Sequence, residues 1–277
     1  MSMASIYIGA DPGRTAVPPG RAPDVPGPGD RAYVTVKAVL DFLAALVLFV
    51  LTAPLLLFAI LLVKLSSRGP AIYAQTRLGR YGQPFTLYKV RTMAHNCESL
   101  TGPCWSVPGD TRVTAVGRWL RRTHLDELPQ LWNVLRGDMS LIGPRPERPE
   151  FVPQLEQAIA HYVDRLHVRP GVTGLAQVQL PADTTLDSVR TKLAYDLHYI
   201  RNTGLLLDLR IYWATFLKML GVPFPLLRDL FRFPRRETVE AEYRALPPRS
   251  NPRLRTLTGV RGQGSGAREE AARKPSE

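Results

Sequence analysis

The densest run of reactive side chains is Arg121-Arg122-Thr123-His124-Leu125-Asp126-Glu127-Leu128-Pro129-Gln130. Adjacent carboxylates on a helix point about 100° apart, so Asp126 and Glu127 need not share one task. One can act as nucleophile or acid–base group while the other ligates a cation. The same residues also have a purely structural reading. Acids are favoured in the first turn of a helix, and Thr123 followed by Asp126 resembles a capping box. Pro129 helps to choose. With Thr123 as N-cap, the proline falls in the second turn and costs a hydrogen bond; with Asp126 as N-cap, it falls at the third position and is tolerated. The second register puts both acids at a positive helix end beside Arg121 and Arg122, where phosphates bind well. Spacing alone leaves catalysis and capping both open.

A second cluster is Leu141-Ile142-Gly143-Pro144-Arg145-Pro146-Glu147-Arg148-Pro149. Prolines on either side hold Arg145 in an extended, stiff backbone, which suits bidentate phosphate contact and equally suits a rigid surface loop. Arg169-Pro170-Gly171-Val172-Thr173-Gly174 is a weaker third candidate, a turn with basic and hydroxyl groups. The five histidines have no metal-ligand spacing, and Cys97 and Cys104 have no catalytic signature. No Walker loop or Gly-x-Gly-x-x-Gly occurs, which argues against ATPase and dinucleotide chemistry.

The elements that must carry these residues fall between two tails. Residues 1–30 hold six prolines and five glycines and read as a disordered tail, as does the Arg-rich stretch 234–277. From Phe42 to Val63 there are 22 residues without a charge. At about 1.5 Å per residue this segment is long enough to cross a hydrocarbon core roughly 30 Å thick. Pro54 at its middle and basic residues on both flanks (Arg31 and Lys37 before, Lys64 and Arg68 after) also fit a broken helix that dips in and returns. Physics alone leaves a re-entrant segment and a single span open.

Beyond it, Ala71 to Met93 reads as a β-hairpin turning at Gly79–Gly82, followed by a loop over 94–111. Helices are expected over Val113–Arg122, from Asp126 to a C′ residue at Gly137, and over Val152–Leu166, Leu186–Arg201 and Leu205–Leu220. The last is apolar and aromatic enough to lie at a membrane interface, with a core-packing helix as the alternative. The chain has 277 residues and a formal net charge of +12, which asks for an anionic partner. Without basic residues interleaved with stacking aromatics, nucleic acid is not that partner.

In order, these features resemble the bacterial sugar transferase family, the monotopic phosphoglycosyl transferases that prime polyprenyl-linked glycan assembly. The resemblance rests on the Lys37-to-Lys64 segment with Pro54, and on Leu87-Tyr88-Lys89-Val90-Arg91-Thr92-Met93. It continues through Arg118–Thr123, Leu125-Asp126-Glu127-Leu128-Pro129-Gln130-Leu131-Trp132-Asn133-Val134 and Gly137–Pro146, and ends with Arg169–Val178. It spans about residues 31–221.

The resemblance implies an α+β, mostly helical fold: a re-entrant helix–break–helix over 31–68, then a cytoplasmic catalytic domain over 69–233 with a small hairpin and interfacial helices. It implies transfer of a sugar-1-phosphate from a UDP-sugar to undecaprenyl phosphate, with release of UMP. Asp126 would be the nucleophile, Glu127 the Mg²⁺ ligand and Arg145 the phosphate clamp. Arg121 would also bind phosphate, and Asp138 and Pro146 would support the site. The family's membrane break is a Ser-Pro pair, whereas here Ala53-Pro54 follows Thr52. The implied place is the cytoplasmic face of a bacterial inner membrane, in exopolysaccharide, O-antigen or related glycan initiation; a homodimer stays open. Two rivals are a glycosyltransferase that moves the sugar alone and releases UDP, and a non-catalytic membrane scaffold.

Overall fold

The computed structural model describes residues 31–97, 102, 109–181 and 185–247. The expected tail over 1–30, the end of the chain from 248 and most of the loop around 98–108 lie outside the described residues. The first element, α1 (Arg31–Ser66), is a single helical run that includes Pro54. The predicted break at Ala53-Pro54 is therefore not an interruption of the helix. Proline forfeits one backbone donor, and Thr52 Oγ1 donates 2.7 Å to the Leu48 carbonyl one turn back, a contact that helices accommodate by bending.

The antiparallel hairpin forms as expected. Strand β1 (Ile72–Leu78) pairs with β2 (Pro84–Val90) from Ile72 opposite Val90 to Leu78 opposite Pro84. A 3₁₀ corner at Arg80–Gly82 joins them, with Tyr81 left-handed. Helix α2 (Ala115–Thr123) follows, with Thr114 Oγ1 accepting from the Gly117 amide as its N-cap. Gly117 is needed there, because a Cβ would lie 1.9 Å from the Thr92 carbonyl oxygen.

The second predicted helix starts later than expected. Leu125–Glu127 is a 3₁₀ turn, and α3 (Gln130–Leu135) begins only after Pro129, which occupies the N-cap position. Asp126 is thus not the cap. Past Gly137 (φ 80) comes β3 (Ser140–Ile142), parallel to β4 (Gly171–Thr173). Three-residue strands carry too little alternation to be read from sequence. The predicted helix over 152–166 is divided into α4 (Val152–Ala158) and a 3₁₀ segment at Tyr162–His167. Ile159 is extended and His161 left-handed at the break. The break turns Asp164 and Arg165 inward, where both are buried.

Helix α5 (Leu175–Gln179) leads to α6 (Leu186–Arg201), which supplies Leu193, Leu197 and Ile200 to the core. Then come α7 (Leu205–Met219), α8 (Phe224–Phe231) and α9 (Arg236–Arg244). Sequence places 234 onward in a tail, yet α9 packs on α6. Val239 is fully buried, Thr191 Oγ1 donates 3.0 Å to Glu240, and His198 lies 2.7 Å from Glu242.

Helix α1 lies along the folded body rather than apart from it. Near its start the Tyr33 hydroxyl donates to Asp208 at 2.8 Å, Lys37 pairs with Asp208 at 2.9 Å, and Ser140 donates to Asp41 at 2.6 Å. At its middle Phe49 meets Trp132, with ring centroids 6.3 Å apart. Near its end Ala59 and Val63 join Ala71, Val90 and Leu120 in one core cluster. The rest of its surface is bare. Only 11% of its most apolar stretch is buried, and Leu43, Val47, Val50, Leu51, Leu57 and Phe58 are exposed. A soluble core helix is buried on its apolar face, so this one is compatible with membrane association. Exposed Leu206, Trp213 and Phe216 of α7 and Leu226 and Leu230 of α8 extend the same chemistry.

Candidate active site

Three distant parts of the chain meet at one carboxylate. The 3₁₀ turn at Leu125–Glu127 is set by His124, whose left-handed backbone (φ 57) ends α2. Leu125 packs against the Leu120–Val90 core cluster, which anchors the turn. Lys89 of β2 donates 2.8 Å to Glu127 Oε1. Arg145, from the loop after β3, donates through Nη2 to the same oxygen and reaches Oε2 through Nη1 at 3.4 Å.

Asp126, one residue away, lies only 7% exposed. Among the described residues it has neither a hydrogen bond nor an ion pair. The two acids therefore titrate in opposite directions. Burial, followed by the charge of Glu127, pushes Asp126 up to about 6. Burial would raise Glu127 too, but Arg145 and Lys89 together hold it well below the usual carboxylate range. Burial in turn draws the Lys89 ammonium down against the pull of Glu127.

Arg121 is fixed by Nε to Thr92 Oγ1 at 2.9 Å, and its charge reaches Asp126. Arg145 owes its place to a close approach of two loops. A Cβ on Gly143 would stand 2.5 Å from the Arg169 carbonyl oxygen, and one on Gly171 would stand 2.1 Å from the Gly143 nitrogen. Only glycine lets the 143–149 loop nest against the 169–174 turn. That turn therefore supports Arg145, and its Arg169 side chain is exposed.

Asp138 and Pro146 stand behind the site. Asp138 Oδ2 accepts from Asn133 at 3.3 Å, and fully buried Asn133 also donates to the Thr86 carbonyl and accepts from the Tyr88 amide. This hub locks α3 to β2, the strand that carries Lys89. The Pro146 carbonyl accepts from Arg77 at 3.1 Å. Sequence reasoning missed Lys89 as a site residue. The available signal was its place on the strand face of Leu87, where a lysine needs an acid.

The described residues contain no cluster of three or more His, Cys, Asp or Glu able to hold a metal. Mg²⁺ does not require one, because it is commonly held by one or two carboxylates together with substrate phosphates. Glu127 Oε2, whose nearest donor is 3.4 Å away, and Asp126 fit that lighter demand.

With this geometry in view, a sequence model of the bacterial sugar transferase family matches residues 32–222. Over 192 residues the chain is 48% identical to a UDP-glucose:undecaprenyl-phosphate glucose-1-phosphate transferase of Caulobacter vibrioides, a match covering 68% of this chain and 72% of that protein. Over 183 residues it is 44% identical to a UDP-N-acetylgalactosamine-undecaprenyl-phosphate N-acetylgalactosaminephosphotransferase of Aeromonas hydrophila, covering 66% of this chain but 43% of that one. It is also 38% identical over 188 residues to the exopolysaccharide production protein PSS of Rhizobium leguminosarum bv. phaseoli, covering 66% and 94%. The chain belongs to the bacterial sugar transferase family.

The raised Asp126 carboxyl has a stability consequence. Its folded-state value of about 6 exceeds the ordinary 3.8, so its favourable contribution is present at low pH and is lost as pH rises through 6. Asp126→Asn is expected to stabilise the fold at pH 7.5 by up to about 3 kcal/mol, read as a higher melting temperature, with the gain vanishing near pH 4. A melting temperature that falls, or rises equally at both pH values, would contradict it.

Proposed function

We propose that this protein transfers a sugar-1-phosphate from a UDP-sugar to undecaprenyl phosphate at the membrane surface. The observation that carries the reading is the division between two neighbouring acids. Glu127 is held by two cations at Oε1 and keeps Oε2 for a further ligand, while Asp126 is desolvated and makes no hydrogen bond or ion pair among the described residues. Asp126 Oδ forms a bond to the β-phosphorus of the donor, the bond from that phosphorus to the bridging oxygen breaks, and UMP leaves. A phosphate oxygen of the lipid then attacks the same phosphorus, and the Asp126 carboxylate departs unchanged.

Attack by an anion on an anionic anhydride needs surrounding positive charge. Arg145, Arg121 and Lys89 are the side chains available to supply it. A bound Mg²⁺, held by Glu127 with the donor phosphates, would neutralise further charge there. The activities of the relatives support the substrate class and the association with exopolysaccharide production. They leave the sugar of this chain open, since one relative is named for glucose and another for N-acetylgalactosamine.

The same reading puts α1 into one leaflet from the cytoplasmic face of a bacterial inner membrane. Contacts to the folded body run from Tyr33 to Val63. The thirty helical steps from Tyr33 to Val63 rise about 45 Å, more than a hydrocarbon core of roughly 30 Å. A helix crossing the bilayer could not keep one end and the other against the same water-facing domain. Shallow insertion allows both, and it brings a lipid phosphate within reach of the site.

Two measurements test the proposal. In detergent with Mg²⁺, undecaprenyl phosphate and a panel of UDP-sugars, the wild type should release UMP with one donor. Its kcat/KM should fall below pH about 6 as Asp126 protonates. Release of UDP would establish sugar-only transfer instead, and Asp126→Asn retaining turnover would remove Asp126 as nucleophile. For topology, Arg31→Cys in a background with Cys97 and Cys104 replaced by serine should react with an impermeant maleimide only from the cytoplasmic side. Labelling from outside would mean a span.

A further inference from the structure

The loop that delivers Arg145 is held at four consecutive carbonyls by donors from three parts of the chain. Pro144 O accepts from the Gly171 amide at 2.9 Å, and Glu147 O accepts from the Leu78 amide at 3.0 Å. Between them Pro146 O accepts from Arg77 Nη1 at 3.1 Å, and Arg145 O accepts from Arg165 Nη2 at 2.8 Å. Pro144, Pro146 and Pro149 cannot donate, so the stretch around Arg145 is tied down mainly through its acceptors.

Two of the four donors are guanidinium groups, and the pair that holds Arg165 is closer and more deeply buried than the Arg77–Glu147 pair at 3.5 Å. The Arg165 guanidinium and the Asp196 carboxylate are 2.8 Å apart, with side chains only 7% and 3% exposed. Nη1 of Arg165 also donates to the Tyr162 hydroxyl at 3.0 Å, on a residue 2% exposed. A buried ion pair is weak evidence for stability, since apolar side chains of similar volume often serve as well. Its specific yield here is a rigid planar fork that ends on the backbone of the residue whose side chain grips Glu127. Lysine could answer Asp196 but could not span Asp196, Tyr162 and the carbonyl together.

We infer that Arg165, oriented by Asp196 and Tyr162, is a positioning residue that sets the reach of Arg145 into the site. It touches no substrate and acts through one backbone carbonyl. Because the effect on turnover presupposes the transfer reaction proposed above, one arm of the test does not depend on activity.

The variant to make is Arg165→Met with Asp196→Leu, which removes both charges at once and leaves neither buried alone. Arg165→Lys serves as the companion that keeps the charge. In full-length protein without substrate, hydrogen exchange of the amides over 143–151 should speed up in both variants, while exchange in α6 away from Asp196 stays as in the wild type. In the assay of UMP release, the double variant should lose about tenfold or more in kcat/KM, in line with the cost of a small misplacement of a catalytic group. In an Arg145→Ala background the same pair of changes should cost little further. Unchanged loop exchange would overturn the inference, as would an equal loss in both backgrounds, which marks a merely structural pair. A wild type that releases no UMP with any donor would defeat the proposed reaction, and the exchange arm would still decide the positioning role.

Discussion

Glu127 sits between Lys89 and Arg145, and much of the chain is arranged to keep it there. Lys89 requires β2 in register with β1 and locked to α3 through Asn133. Arg145 requires a proline-stiffened loop pressed against a glycine turn. Glu127 itself requires a short 3₁₀ turn wedged by Leu125 into the core beneath α1. Two cations on one carboxylate leave the neighbouring acid facing a positive wall without being bound to it. That asymmetry separates a pair of chemically similar carboxylates by more than their ordinary difference in acidity. Paired groups pushed apart in this way are a recurring device for assigning different tasks to like residues.

The long apolar helix α1 and the site are built as one piece. Ala59 and Val63 of α1 share a cluster with Leu120 and Val90, and Leu125 packs on that cluster one residue before Asp126. At its other end α1 is tied by Lys37 and Tyr33 to Asp208, on the helix that exposes Trp213 and Phe216. A change in how α1 lies therefore bears on the turn that presents the acids. In the proposed reaction, with a water-soluble donor and a lipid acceptor, such coupling would link the phases from which the two substrates approach.

Much of this was legible in the sequence. Twenty-two uncharged residues, a hairpin with its turn, and α6 and α7 follow from composition and period alone. Asp126, Glu127 and Arg145 stood out by residue type and local spacing, and the structure brings them together. What could not be read was long-range. Lys89 looks like an ordinary strand lysine until Glu127 is placed beside it. Arg165 and Asp196 sit in two separate segments whose apolar spacing suggests plain helices. Sequence admits Pro129 at a tolerated third position after an Asp126 cap, whereas in the structure a left-handed His124 starts a separate turn and leaves Pro129 at the boundary. Helix α9 was missed since Val239 is its one buried residue amid charges.

The central claim is that Asp126 carries the phosphosugar between donor and acceptor. The most direct test is to incubate the wild type with Mg²⁺ and its UDP-sugar in the absence of lipid phosphate, quench in acid, and map the modified peptide by mass. The expected result is a mass increase of one sugar phosphate less water on the peptide containing Asp126. It should disappear when undecaprenyl phosphate is added and should be absent from Asp126→Asn. Turnover with full lipid product but no adduct on that peptide, or an adduct on another residue, would contradict it.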